Sequence, residues 1–300
     1  MTPVVFALPE NEFHANKILA GTFGEKGEYS LRKFPDGETY LRILSNVEQR
    51  EVIVVCTLHE PDNKLLALLF FCRLLKDLKA KSICLVSPYL AYMRQDKKFN
   101  TGEAVTSGYF ATLLSSFADQ LITIDPHLHR RSSLQEIYTI PCSVLHAAGL
   151  ISGWIKTNIP NALLVGPDGE SRQWVSEVAK DAGVPFIVLN KIRQGDREVE
   201  LSIPKTEDYK NYTPVLVDDI ISTASTMIKA IQLLKQAGMN APICIGVHPV
   251  FAPGAFQALK QAGAKEIISC NTIGHETNKI DISEMILSAC KNILATKPLL

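Results

Sequence analysis

The chain lacks the signatures that most often mark nucleotide chemistry. No G-x-x-x-x-G-K-[ST] run supplies a P-loop, so a nucleoside triphosphate would have to bind without one. No G-x-G-x-x-G opens a helix either, which argues against a Rossmann dehydrogenase. The seven cysteines form no C-x-x-C pair, and most lie in apolar runs such as Val54-Val55-Cys56 and Ile243-Cys244-Ile245. They read as reduced core residues, not as a zinc knuckle, a thioredoxin-like centre or a nucleophile. An excess of one charge is also missing: Lys+Arg and Asp+Glu are 31 each, and no long basic stretch offers a broad face to nucleic acid or membrane. Any anion chemistry must come from local basic clusters. The longest apolar stretch, Leu65 to Cys72, lies between Lys64 and Arg73. It falls far short of the ~20 residues of a membrane span and reads as a buried core helix. Met1-Thr2-Pro3 runs into Val4 to Leu8 without a basic n-region or long h-region, so the expected compartment is the cytoplasm. No segment is rich enough in Gly, Ser and Pro to be a flexible linker.

What the chain does contain is core-forming material in a regular rhythm. With 300 residues and a hydrophobic share of 46%, two domains can each fill a core. Apolar runs at Val52–Thr57, Ile83–Ser87, Leu121–Asp125, Leu163–Gly166, Phe186–Leu189, Val215–Val217, Ile243–Val247 and Ile267–Cys270 alternate with helical stretches. Such unbroken apolar strands belong in parallel sheets covered on both faces by helices. There are too many for one ordinary sheet. The expected fold is therefore α/β, with two similar doubly wound domains, 1–146 and 147–300, divided near Leu145–Ala148. Their shared rhythm suggests internal duplication. Two helices are expected at Asp62–Lys79 and Thr223–Gln236, and the second places Met227, Ile228, Ile231 and Leu234 along one stripe before Gly238 ends it.

The most informative run is Val215-Leu216-Val217-Asp218-Asp219-Ile220-Ile221-Ser222-Thr223-Ala224-Ser225-Thr226. An apolar strand delivers two acids into a small hydroxyl-rich loop that opens a helix. Backbone N–H groups and Ser/Thr hydroxyls at a helix N-terminus suit a phosphate, since the partial positive charge there favours an anion. A carboxylate only accepts hydrogen bonds, so Asp218 or Asp219 can hold vicinal hydroxyls of a sugar whose phosphate sits on Ser222 to Thr226. An ordinary strand with an Asp turn and a capped helix is the bland alternative.

This run resembles the phosphoribosyl-diphosphate motif of type I phosphoribosyltransferases and of ribose-phosphate diphosphokinases (PRPP synthetases). Lys33-Phe34-Pro35-Asp36-Gly37-Glu38, Pro88 to Lys98, Asp125-Pro126-His127 and Gly166-Pro167-Asp168 resemble the diphosphokinases specifically, in that family's order. The resemblance spans nearly the whole chain. It implies that ATP gives its β,γ-diphosphoryl unit to the anomeric hydroxyl of ribose 5-phosphate, forming PRPP and AMP. It makes Phe34 and Arg94 an adenine clamp, joined by Asp36, Glu38, Gln95 and Asp96, with the Phe34–Glu38 loop coming from a neighbouring subunit. It therefore implies a homo-oligomer, a dimer or a multiple of dimers. His127 and Asp168 would serve Mg²⁺, and Lys191 and Arg193 would be the catalytic pair. Their charge suits phosphoryl transfer, in which positive groups meet charge building on the transferring oxygens. A loop bringing Lys191 inward would also exclude water. No residue is read as a general base.

Two departures from the family pattern bear on activity. Ser225 stands where many members have Gly, which raises the expectation of a backbone torsion less comfortable for Ser. Glu170 places a carboxylate near the expected ribose-phosphate site. The alternatives are a phosphoribosyltransferase that uses PRPP and consumes no ATP, and a non-catalytic subunit that regulates a PRPP synthetase.

Overall fold

A computed structural model describes residues 2–167, 171–194, 198–202 and 207–295. The chain divides between Leu145 and His146 into two compact α/β units. In the first unit the chain runs through β1 (Val4–Ala7), α1 (Glu12–Thr22), β2 (Glu25–Lys26), β3 (Tyr29–Lys33), β4 (Thr39–Ile43), β5 (Glu51–Val55), α2 (Pro61–Asp77), β6 (Ser82–Ser87), α3 (Thr106–Ser115), β7 (Gln120–Ile124) and β8 (Cys142–Leu145). Six of these strands form a sheet in the order β2-β1-β5-β6-β7-β8, with every neighbouring pair parallel. Val52 to Val55 and Ile83 to Val86 are buried on both faces, the burial that an unbroken apolar strand requires. The remaining two strands, β3 and β4, form a separate antiparallel hairpin.

The second unit repeats this plan with α4 (Ala148–Asn158), β9 (Ala162–Gly166), α5 (Arg172–Ala182), β10 (Phe186–Val188), β11 (Asn190–Gln194), β12 (Glu198–Ser202), β13 (Thr213–Ile221), α6 (Ser225–Gln236), β14 (Ile243–Pro249), α7 (Ala255–Ala262), β15 (Glu266–Cys270) and β16 (Asn278–Ile280). Its parallel sheet runs β10-β9-β13-β14-β15-β16, and the hairpin β11–β12 leaves it at the point in the order where β3–β4 leaves the first. The duplication suggested by rhythm is thus visible as repeated topology.

The last helix, α8 (Ser283–Ala295), is counted with the first unit and not with the 147–300 half to which the sequence assigns it. Its buried face, including Ile286, Leu287 and Cys290, packs on α1. The helices approach so closely that a Cβ on Gly21 would lie 2.3 Å from a Leu287 methyl. Ser283 Oγ also meets His14 Nδ1 at 3.3 Å.

The Leu65–Cys72 stretch differs from expectation in a second way. It lies in α2 and buries Leu68, Phe71 and Cys72, but Leu66 is 53% and Phe70 44% exposed. A helix against one sheet face can bury only one stripe. Among the described residues no helix is long and apolar enough to cross a membrane. All seven cysteines are free, and burial pushes the thiols of Cys56, Cys72, Cys84, Cys142, Cys244 and Cys290 up, Cys56 and Cys244 to about 12, which argues against these six as thiolate nucleophiles.

Candidate active site

The sheet order of the second unit reverses between β9 and β13, the topological switch point where open α/β sheets form a ligand crevice beyond their strand carboxyl ends. β13 runs past its neighbour: pairing with β9 ends at Leu216↔Val165, whereas pairing with β14 continues to Ile221↔Pro249. The overhang carries Asp218 and Asp219, both half-buried. Their carboxylates are oriented locally, Asp218 Oδ1 accepting from Asp219 N at 3.0 Å and Asp219 Oδ1 from Ile220 N at 2.8 Å. Ser222 and Thr223 follow, and α6 opens at Ser225 after Ala224 takes a left-handed conformation with φ 60°.

This geometry corrects the expectation for Ser225. The left-handed position is Ala224, whereas Ser225 is already helical and carries no positive φ. What Ser225 brings instead is a hydroxyl, 3.0 Å from that of Thr223, with both side chains exposed at the helix N-terminus. Ser222 and Thr226 are half-buried beside them. The loop therefore places a concentrated set of hydroxyls at the positive end of a helix, an arrangement that suits an anion.

Lys191 and Arg193 stand two positions apart in β11, paired in register with Leu201 and Val199 of β12. They fall in the strand of a hairpin, not at its tip. Asp168 and Glu170 lie outside the described residues, as do residues 195–197.

In the first unit the β3–β4 hairpin presents the Phe34–Glu38 turn. Phe34 N donates to Glu38 O and Gly37 N to Phe34 O, and Gly37 takes φ 92°, a torsion that favours glycine. Phe34, Asp36 and Glu38 are all exposed. The Phe34 ring meets Tyr40 edge-on at 5.9 Å and carries the Arg32 guanidinium 4.8 Å from its centre.

The loops after β6 and β7 come together. Arg130 Nη1 pairs with Asp96 Oδ1 at 2.8 Å, and Gln95 Oε1 accepts from Thr106 Oγ1 at 3.1 Å. Asp96 is thereby held by an arginine that the sequence reading passes over, although the Arg130-Arg131 pair follows His127 by three residues. His127, half-buried just past β7, meets the His129 ring edge-on with centres 4.3 Å apart. Asp125 before it takes φ 32°.

Among the described residues no group of three or more His, Cys, Asp or Glu side chains could hold a metal ion. That donor set does not build a dedicated cage.

Sequence comparisons agree with this layout. The profile of the N-terminal domain of ribose phosphate pyrophosphokinase matches residues 3–117, and that of the phosphoribosyl transferase domain matches residues 133–284. A ribose-phosphate pyrophosphokinase of Methanobrevibacter smithii is 31% identical over 273 residues, covering 87% of this chain and 91% of the relative. Ribose-phosphate pyrophosphokinase 2 of Archaeoglobus fulgidus is 32% identical over 286 residues, covering 94% and 98%. In fold, the chain is similar to the crystal structure of phosphoribosylpyrophosphate synthetase from Mycobacterium smegmatis, with a TM-score of 0.86 at 24% identity over 99% of this chain and 100% of that one.

Proposed function

The chain belongs to the ribose-phosphate pyrophosphokinase family, and from that membership we propose how its own residues divide the work. The enzyme transfers the β,γ-diphosphoryl group of ATP to the anomeric hydroxyl of ribose 5-phosphate. The anomeric oxygen bonds to the β-phosphorus, the bond from that phosphorus to the α,β-bridging oxygen breaks, and AMP leaves. The observation that carries the residue assignment is the overhang of β13, which brings two carboxylates and the hydroxyl loop of α6 to the switch point of the second sheet.

In this reading Ser222 to Thr226 hold the 5-phosphate, while Asp218 or Asp219 accepts from the ribose hydroxyls. Lys191 and Arg193 meet the negative charge that grows on the transferring oxygens, the usual protein contribution to phosphoryl transfer. Phe34 and Arg94 flank the adenine, and Asp36, Glu38, Gln95 and Asp96 complete the nucleotide contacts. The exposure of the Phe34–Glu38 turn suits a loop that serves a neighbouring copy, so the working unit is a homo-oligomer. Leu66 and Phe70, one turn apart and exposed on α2, offer apolar surface for such an association. His127 and Asp168 would hold Mg²⁺, which when bound neutralises phosphate charge and aligns the diphosphoryl group. The free cysteines suit a reducing compartment such as the cytoplasm.

Lys191→Ala tests the assignment. It is expected to lower kcat by roughly 10²-fold or more with little change in KM, because a charge acting on the transition state contributes little to ground-state binding. Near-normal kcat, or a change confined to KM for ribose 5-phosphate, would overturn the catalytic role.

A further inference from the structure

The hydroxyl loop is held from behind by a segment that the family motif does not contain. After pairing with β13 through His248 and Pro249, the chain leaves β14 and turns back over the same strand end. Phe251 N donates to Ile221 O at 2.8 Å and Ala252 N donates to Ser222 O at 3.1 Å. These bonds fix two peptide planes. In a planar trans peptide the C=O of one residue and the N–H of the next point in opposite directions. Tethering the Ile221 and Ser222 carbonyls to the 251–252 turn therefore aims the Ser222 and Thr223 amides to the other side.

The turn that does this is itself under constraint. Phe251 has φ 21°, at the edge of a region that non-glycine residues rarely occupy, and such a torsion persists only when the surroundings over-determine it. The surroundings here are aromatic. The Phe251 ring lies 4.6 Å from the His275 ring and 5.4 Å from Phe256, while Phe256 and His275 meet edge-on at 5.0 Å.

His275 is in turn anchored to the sheet by a hydrogen-bond chain with one consistent direction. Asn278 Nδ2 donates to Ser269 Oγ at 2.9 Å, Ser269 and Thr277 hydroxyls meet at 2.7 Å, and Thr277 Oγ1 meets His275 Nδ1 at 2.9 Å. Thr277 N also donates to that nitrogen at 3.3 Å, so Nδ1 is assigned as an acceptor and the ring is neutral. Burial, which pushes the His275 pKa down, acts in the same direction. At the other end, Ile221 closes over Gly246, where a Cβ would come within 2.5 Å of its side chain.

We propose that Phe251 is a positioning residue for ribose 5-phosphate: braced by Phe256 and His275, it clamps the carbonyl side of the Ile221–Thr223 backbone and thereby aims the amides that receive the phosphate. The inference rests on the assignment of the hydroxyl loop to that substrate. It extends the site to residues roughly thirty to fifty positions further along the chain, which act through the loop backbone.

Phe251→Ala and Phe251→Tyr, each measured beside the wild type by calorimetric titration with ribose 5-phosphate and by initial rates, test it. The alanine variant is expected to weaken ribose 5-phosphate binding by about tenfold, the equivalent of ~1.4 kcal/mol. Its KM for ATP should stay within a factor of about two, and the tyrosine variant should restore binding because its ring keeps the same stack. Val175→Ala, which empties a buried position in α5 of the same unit, controls for general loss of stability. It should melt lower with ribose 5-phosphate affinity unchanged. Unchanged affinity in Phe251→Ala, an equal rise in KM for both substrates, or an equal loss in Val175→Ala would overturn the positioning role while leaving the loop assignment intact. Wild-type protein that releases AMP from ATP but shows no binding of ribose 5-phosphate would overturn the loop assignment, and the clamp with it.

Discussion

At the scale of single residues, the hydroxyl loop before α6 shows how much a short motif reveals and where it stops. The placing of Asp218, Asp219 and the hydroxyls at one strand end and one helix start is legible because the segment is local and contiguous in sequence. The torsions are not legible. Comparing Ser225 with glycine puts the strain at that position, yet the structure places the left-handed residue one step earlier, at Ala224, and starts α6 at Ser225. The consequence is a stability prediction with a sign opposite to the sequence reading. Ser225→Gly should destabilise the protein by up to about 1 kcal/mol, because glycine in a helix forfeits conformational entropy and no positive φ is relieved. A shift of the urea midpoint to lower concentration at constant slope would bear this out, and a clear shift upward would contradict it. Phe251 is illegible for a related reason: nothing in a run of Val, Phe and Ala says which carbonyls its backbone will tether.

At the scale of elements, the eight apolar runs all become strands because each is an unbroken core segment, and their pattern is visible without knowing the neighbours. The short β2, β8 and β16 are not visible in this way. Two to four residues at a sheet edge or end carry too little periodicity to be separated from loop. The destination of α8 is illegible for a deeper reason. An amphipathic helix declares which face it will bury, not which sheet it will cover. Gly21 is the retrospective signal, since in α1 only a residue without a side chain tolerates Leu287 at this distance. Gly21→Ala is therefore expected to lower stability by roughly 1–3 kcal/mol as Leu287 is displaced, despite alanine's better helix propensity. Chemical denaturation measures it, and a stabilised variant would show that α1 and α8 are not so closely packed.

At the scale of the whole molecule, two units share one topology and differ in chemistry at the corresponding switch points. In the second, the crevice end of β13 offers acids and hydroxyls. In the first, β5 leads into α2 through Glu60, which takes φ 49° before the helix much as Ala224 does before α6. The surrounding groups there satisfy each other. Lys64 Nζ meets Glu10 Oε2 at 3.1 Å and His59 Nδ1 at 3.0 Å, with burial and the neighbouring lysine holding the His59 pKa below its ordinary value. The same backbone plan thus carries acids and a hydroxyl loop in one half and an internal ion network in the other. The exposed Phe34–Glu38 turn of the first unit is proposed to serve a neighbour's site, and mixed variants test this. A Lys191→Ala chain mixed with a chain carrying Asp36→Ala and Glu38→Ala should regain activity that neither parent has, because one hybrid site carries both intact parts. Verified hybrids no more active than the parents would rule out the shared site. The central claim is tested most directly by following the phosphorus-containing products of ATP, ribose 5-phosphate and Mg²⁺ in the presence of the purified protein. The account predicts AMP and PRPP in equal amounts, with no AMP when ribose 5-phosphate is omitted. ADP as the product, or AMP release that ignores the sugar phosphate, would contradict it.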